Sequence, residues 1–311
     1  MKKLIKTTIC ILVTLALTVA LVQYLGVRLD PPESSYALDA IDAFHSLPEN
    51  SQDVIVYGSS HAWKDCDTRV MQDHWGLAAY NYGCNWQAIN TTLLFLEDSF
   101  RTQSPKVVCI ETYKAHYILK DTDMDGQIYY TRKIADSPGK RAYLKQCFGS
   151  DPTRYLSYYL PLTMFHDNWA EISDENFVAP APQEFVKNAG YMKHEGDLVE
   201  PCTAPDYANF PQNALPDESK EILDEILKLC RENGAQVIFF TAPLSYEYCY
   251  ADAMAEYAGG KGVPYLNLFE HTEEMGLNWE TDLRDTGHLN DKGAGKVADY
   301  LGRYIKENYE M

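Results

Sequence analysis

An α/β fold, with a parallel sheet covered by helices on both faces, is what this 311-residue chain predicts. Three observations carry the expectation. Short β-branched or apolar runs alternate with amphipathic stretches at both ends of the folded part, the order that builds a parallel sheet. The first such run, Val54-Ile55-Val56-Tyr57, breaks into Gly58-Ser59-Ser60-His61 and leads on to a helix. Far downstream, Asp285-Thr286-Gly287-His288-Leu289-Asn290 sets an acid and an imidazole three residues apart, just ahead of the last helix.

The amino end stands outside that fold. Lys2, Lys3 and Lys6 form a basic tail (1–6), and residues 7–27 follow as an uncharged run rich in Leu, Ile, Val, Ala and Thr. As a helix this run spans about 30 Å, the hydrocarbon thickness of a bilayer. Lysines before it and none inside it predict a single-pass anchor with the amino end in the cytoplasm. The remainder is then an extracytoplasmic domain on the cell membrane. A cleaved signal peptide is the competing reading. No convincing small-x-small site precedes Arg28, and the run is long, so an uncleaved anchor is preferred. Residues 28–35 read as a polar linker and 36–311 as the folded domain.

Within that domain the spacing predicts a helix over 36–47 and a first strand over 54–57. A helix over 68–75 follows, then a second strand over 77–82 that Gly83 closes. The spacing of Ile89, Leu93, Leu94, Phe95 and Phe100 predicts a helix over 86–100, and 106–110 is a third, buried strand. The rhythm returns with a helix over 219–233, stopped by Gly234, and a strand over 236–241. A helix over 246–257, a short strand over 265–268 and a last helix over 291–308 complete it. Between 117 and 216 the alternation is lost. A structureless loop of that length is implausible in a compact domain, so the block is expected to be an inserted cap with some helix.

The charge balance, 27 basic against 45 acidic residues for a net −18, excludes a basic nucleic-acid groove. Eight cysteines lie scattered with no C-x-x-C pair, which argues against a zinc site. Seven of them lie outside the apolar run, an odd number, and no bridge is assigned. Asp121, Asp123 and Asp125 open like a calcium loop, but Arg132 stands where its closing Glu belongs. No metal and no cofactor are expected.

Ser60 is the first chemical candidate. A serine nucleophile needs a general base and N–H donors for the developing oxyanion, and a turn into a helix supplies such donors. His288 provides the base, with Asp285 placed to take its other ring N–H and fix the tautomer. Weaker candidates are His61, which could cap the turn, and His116, which follows the third strand. The group of His166, Asp167 and Trp169 in the insertion could line a sugar cleft.

With these residues the chain resembles the SGNH, or GDSL-type, hydrolase superfamily. Its Gly-Asp-Ser block after the first strand corresponds to Gly58-Ser59-Ser60, and its Asp-x-x-His to Asp285-Thr286-Gly287-His288. The oxyanion-hole glycine after its second strand corresponds to Gly83. The likeness spans about 36–116 and 217–308, with the middle block outside it. Two departures stand out: Ser59 replaces the Asp, and Glu111-Thr112-Tyr113-Lys114 replaces the Gly-x-Asn-Asp block. Tyr113 therefore falls where an oxyanion-hole Asn would be, and a lost donor of that kind is worth about 3 kcal/mol of transition-state stabilisation.

The resemblance implies a flavodoxin-like three-layer sheet with a large mid-chain insertion and an N-terminal transmembrane helix. It implies a catalytic set of Ser60, His288 and Asp285, with the N–H groups of Ser60 and Gly83 as oxyanion hole. Ser59, His61, Glu111 and Tyr113 are then candidate substrate contacts. Exported, membrane-anchored members with Gly-Ser-Ser or Gly-Thr-Ser blocks, such as teichoic acid D-alanine transfer and alginate acetylation proteins, are the nearest in layout. They imply partners of three kinds: the lipid bilayer, an acylated envelope glycan as substrate, and a multi-span membrane O-acyltransferase. The expected activity is that of a serine esterase or O-acyltransferase on acetyl or D-alanyl groups. Two alternatives stay open: a non-catalytic glycan- or partner-binding scaffold, and a secreted esterase for small esters.

Overall fold

The computed structural model describes residues 2–28, 32–120, 128–160, 162–177, 181–193 and 199–311. Five parallel strands form its sheet: β1 (Val54–Tyr57), β2 (Ala79–Asn81), β3 (Val107–Glu111), β4 (Gln236–Thr241) and β5 (Tyr265–Asn267). Their order is β2-β1-β3-β4-β5. This 2-1-3-4-5 order is that of the flavodoxin-like doubly wound fold, whose ligands gather at the β1/β3 switch point beyond the carboxyl ends of the strands.

The strands read as apolar runs because both sheet faces are covered. Ile55, Tyr57, Val108, Ile110, Val237 and Phe239 pack on one side. Val54, Val56, Val107, Cys109, Ile238 and Phe240 pack on the other. Alternate residues of each strand thus enter opposite cores, as a pleat with period two requires. The second core is closed by helices at Thr68–Trp75 and Asp291–Asn308, which pack on each other. Asp67 caps the first through the Arg69 N–H, and Gly76 ends it at φ 62°. Asn290 caps the second through the N–H groups of Lys292 and Gly293.

Boundaries differ from the expectation in places that matter for the site. A four-residue helix, α3 (Ser60–Trp63), starts at Ser60 itself. Glu111 is the last residue of β3 and not part of the loop beyond it. The helix expected from 86 begins at Ile89, and the one expected from 246 begins at Ala251, so Trp86 and Tyr246 lie in loops at the carboxyl edge of the sheet. A small antiparallel pair, β6 (Leu283–Asp285) and β7 (His288–Leu289), holds the Asp-x-x-His stretch. The helix expected from 36 begins at Pro32, inside the stretch read as linker. Pro is well suited to a first helical position, since its missing N–H would have had no partner there.

The described parts of 117–216 are largely helical, with helices at Pro138–Phe148, Pro152–Tyr159, Leu162–Phe165 and Pro182–Lys187. They pack against the helix following β2, against the helix over 32–45 and against the N-terminal helix. The Asn81 N–H donates to the Ala189 carbonyl at 2.8 Å, and Trp63 Nε1 to that of Gly190 at 3.1 Å, so the insertion covers the β2 edge. The aspartates 121, 123 and 125 lie outside the described residues. At the amino end, the helix Lys2–Arg28 carries a stretch long and apolar enough to cross a membrane, and its most apolar part is not buried against the rest of the chain.

Candidate active site

The β1 strand ends in Gly58 at φ 144°, a backbone region that side chains disfavour. A Cβ on it would stand 2.6 Å from Glu111 Cβ and 3.0 Å from Ala62 Cβ, so only glycine fits between the strand end of β3 and α3. The Gly58 N–H donates to Gln87 Oε1 at 2.9 Å, and its carbonyl accepts the Cys84 N–H at 3.2 Å. The β1 and β2 loops are thereby tied together. Ser59 then caps α3, its hydroxyl oxygen accepting the His61 N–H at 3.4 Å while donating to Glu111 Oε2 at 3.0 Å. Ser59 is buried, and its hydroxyl points inward. Ser60 comes next and is partly exposed. As the first residue of α3 its N–H has no intrahelical acceptor.

Ser60 Oγ lies 2.9 Å from His288 Nε2. On the far side of the ring, His288 Nδ1 is 3.0 and 3.2 Å from the two oxygens of Asp285. Asp285 also accepts the Gly287 N–H at 2.8 Å, which orients its carboxylate within the β6–β7 turn. A hydroxyl from residue 60 and an imidazole from residue 288 thus meet above one sheet edge, in line with an acid. Such a line can take a proton from the hydroxyl and stabilise the imidazolium that results.

A second acid–imidazole pair stands behind the first. Asp65, fully buried, accepts the Leu289 N–H at 2.9 Å through Oδ1 and meets His61 Nδ1 at 3.2 Å through Oδ2. The His61 ring stacks on the His288 ring at 5.0 Å and 20°. Its outer nitrogen is 3.4 Å from the Tyr246 hydroxyl, and its edge meets Tyr113 at 4.2 Å. His288 is therefore fixed from two directions, through its own backbone neighbour and through a flat ring.

Burial dominates the electrostatics. It pulls the His288 imidazole below its ordinary 6.5, aided by His61 and Lys64 and opposed by Asp65 and Asp285. It would raise Asp285, but the charge of His288 and the Gly287 N–H outweigh it and hold that carboxyl below 3.8. It lifts Asp65 to about 8 and lowers His61 to about 4, which leaves this inner pair neutral around pH 7. It also lifts Glu111 to about 7, against the opposing effects of His61, the Tyr113 N–H and the Ser59 hydroxyl.

Gly83 does not present a donor as expected. Its N–H donates to Asn81 Oδ1 at 3.0 Å. The Asn81 amide in turn donates to the carbonyls of Ala62 and Cys66 at 2.7 and 2.9 Å, so this side chain fastens the end of β2 to α3. Glu111 is also turned inward, holding the Ser59 hydroxyl and, at 2.7 Å, the Tyr113 N–H. Ser59 and Glu111 are thus supports behind the turn and not surfaces open to a ligand. His166 and Trp169 are exposed in the insertion, and His116 stacks on Tyr250 at 4.1 Å. Among the described residues no group of three or more His, Cys, Asp or Glu is placed to hold a metal ion.

Asp65, Asn81, Gln87 and Tyr246 were not singled out from the sequence. For Asp65 a signal existed, because His61 and Asp65 are four apart and share a face of one helical turn. No comparable pattern marks the other three.

No protein-family profile matches the chain, and no curated protein does. Among solved structures, a Bacteroides fragilis chain assigned provisionally as an acylhydrolase aligns at 13% identity and a TM-score of 0.39. The alignment covers 86% of this chain and 93% of that one.

Proposed function

We propose that this chain is a serine esterase or O-acyltransferase of the SGNH type, anchored by its N-terminal helix with the domain outside the cell membrane. The observation that carries the reading is the line from Ser60 Oγ through His288 to Asp285, at 2.9 and 3.0 Å. Ser60 attacks an ester carbonyl while His288 takes its proton. The alcohol half leaves with that proton, and water or a glycan hydroxyl then resolves the acyl-enzyme. The Ser60 N–H serves the oxyanion. Acetyl or D-alanyl groups on envelope polysaccharide are the substrate class, and a multi-span O-acyltransferase is the partner, both taken from the resemblance.

A fluorophosphonate probe on the full chain in detergent tests this. Labelling is expected for the wild type and for Ser59→Ala, and is abolished in Ser60→Ala. An unlabelled wild type, or equal labelling of both variants, would overturn the reading. A non-catalytic glycan-binding scaffold is the second reading, favoured by the Gly83 N–H being already engaged.

A further inference from the structure

We propose that Lys114, held against Trp86 at the rim of the site, binds an anionic group (carboxylate, sulfate or phosphate) on the alcohol half of the ester that Ser60 attacks. This rests on the esterase or acyltransferase reading above and narrows its substrate. The topology places the two residues. Because β2 and β3 flank β1 on opposite sides, the loops that follow them bracket the Ser60 turn. Those loops meet where Lys114 Nζ stands 3.9 Å from the centre of the Trp86 ring, with the Tyr113 ring at 5.0 Å. Tyr113 in turn touches His61, which stacks on His288, so only two aromatic rings separate the ammonium from the catalytic imidazole.

Three features set this cation apart. First, no carboxylate lies within ion-pair distance of it among the described residues, in a chain with 45 acidic side chains. Lys106, Lys145, Lys292 and Lys306 also lack one but are exposed to water, whereas Lys120, Lys133, Lys187, Lys220, Lys261 and Lys296 each have one. The nearby Glu111 carboxyl is committed to Ser59 and to the Tyr113 N–H. Second, the ammonium is half-buried, and aromatic faces attract its charge without accepting its three N–H donors as an oxyanion would. Burial accordingly lowers its pKa, against the pull of Glu111, and an arriving anion would relieve that cost.

Third, Trp86 is held at φ 57° and is 47% exposed. A left-handed backbone is disfavoured for an L-residue, and for so bulky a side chain it is a genuine outlier. Such strain persists where the surroundings enforce it, and ligand clamps are one such place. The exposed part of the indole offers a flat apolar surface beside a cation, which suits a sugar ring bearing an acidic group.

The test compares two acetate esters that differ only in remote charge, phenyl acetate and 4-acetoxybenzenesulfonate, on the full chain in detergent. The wild type is expected to favour the sulfonate in kcat/KM by about tenfold beyond their ratio in alkaline hydrolysis, the worth of one charge-assisted contact. In Lys114→Met that preference falls to near unity, and in Lys114→Arg it is retained. An unchanged preference in Lys114→Met, or none in the wild type, overturns the proposal. If neither ester is cleaved, the serine reading fails, and the subsite is then judged alone. Ser60→Ala chain titrated with inorganic phosphate at constant ionic strength should show a saturable change in tryptophan fluorescence. Adding Lys114→Met or Trp86→Phe should remove it, and absence of any saturable response overturns the subsite as well.

Discussion

Replacing Asp65 by alanine should disable the Ser60 centre from behind, without touching a residue that meets substrate. Asp65 is fully buried and holds the N–H of Leu289, the residue next to His288, at 2.9 Å. Its other oxygen holds His61, whose ring is the floor on which His288 lies. In Asp65→Ala both buried groups lose a partner, at about 1–3 kcal/mol each. An offset exists, because burial raises Asp65 from 3.8 to about 8, so its ionised form is disfavoured in the fold. Stability from that source is lost as pH rises from the unfolded value to the folded one. Urea unfolding at pH 5 keeps the offset small, and the variant is expected to lose about 2–6 kcal/mol there. Asp65→Asn keeps an acceptor for Leu289 and cannot ionise, so it should equal or exceed the wild type at pH 8.

The same two variants separate positioning from mere folding. Misplacing a catalytic group by about 1 Å can cost 100-fold, so the second-order rate of fluorophosphonate labelling should fall by about that factor in Asp65→Ala and by less in Asp65→Asn. Burial keeps the Asp65 carboxyl uncharged below about pH 8, so both variants should leave the acid limb of the labelling rate in place, and the fall in rate then reports the placement of His288. Should Asp65→Ala melt with the wild type and label at the same rate, Asp65 does not hold His288 in position.

Two further outcomes follow from the turn itself. Glu111 is raised by burial from 4.5 to about 7, so its ionisation opposes the fold increasingly across that window and by about 3 kcal/mol above it. Glu111→Gln should gain on the wild type at pH 8 and not at pH 4.5, and an equal difference in urea melts at both values would contradict this. Gly58→Ala places a Cβ 2.6 Å from Glu111 Cβ at φ 144°. The expected loss is about 3 kcal/mol or more, together with loss of labelling. Gly76→Ala is the contrast, since it meets nothing within 4 Å and should lose only about 1 kcal/mol in a thermal melt.

The sheet was legible because buried parallel strands announce themselves: 54–57, 107–110 and 237–241 are unbroken runs of apolar or β-branched residues. That Ser60, Asp285 and His288 could meet was legible because the pattern is local in sequence, a turn in one place and an acid with its imidazole in another. What stayed hidden depends on groups brought together only by the fold. Trp86 looks like a helix start by apolar spacing, yet its left-handed backbone ends that possibility, and the helix waits until Ile89. Tyr246 sits five residues ahead of its helix because its loop packs against the β6–β7 turn, where the Thr286 carbonyl accepts the Ser245 N–H at 3.0 Å. Gly83 carries the right residue in the right place, but its N–H is claimed by a side chain two positions earlier.

The side chains at 59 and 111 depend on each other. With an Asp at position 59, a carboxylate would face Glu111 across about 3 Å in a site that excludes water, and like charges at that distance cannot both ionise. Here the acid stands at the end of β3 and a hydroxyl stands on the turn. Ser59 donates to Glu111, caps α3 and stays buried, while Glu111 holds the Tyr113 N–H and so steers the loop that carries Lys114. A hydroxyl at 59 and an acid at 111 thus suit each other, and their pairing leaves Ser60 as the hydroxyl that faces His288.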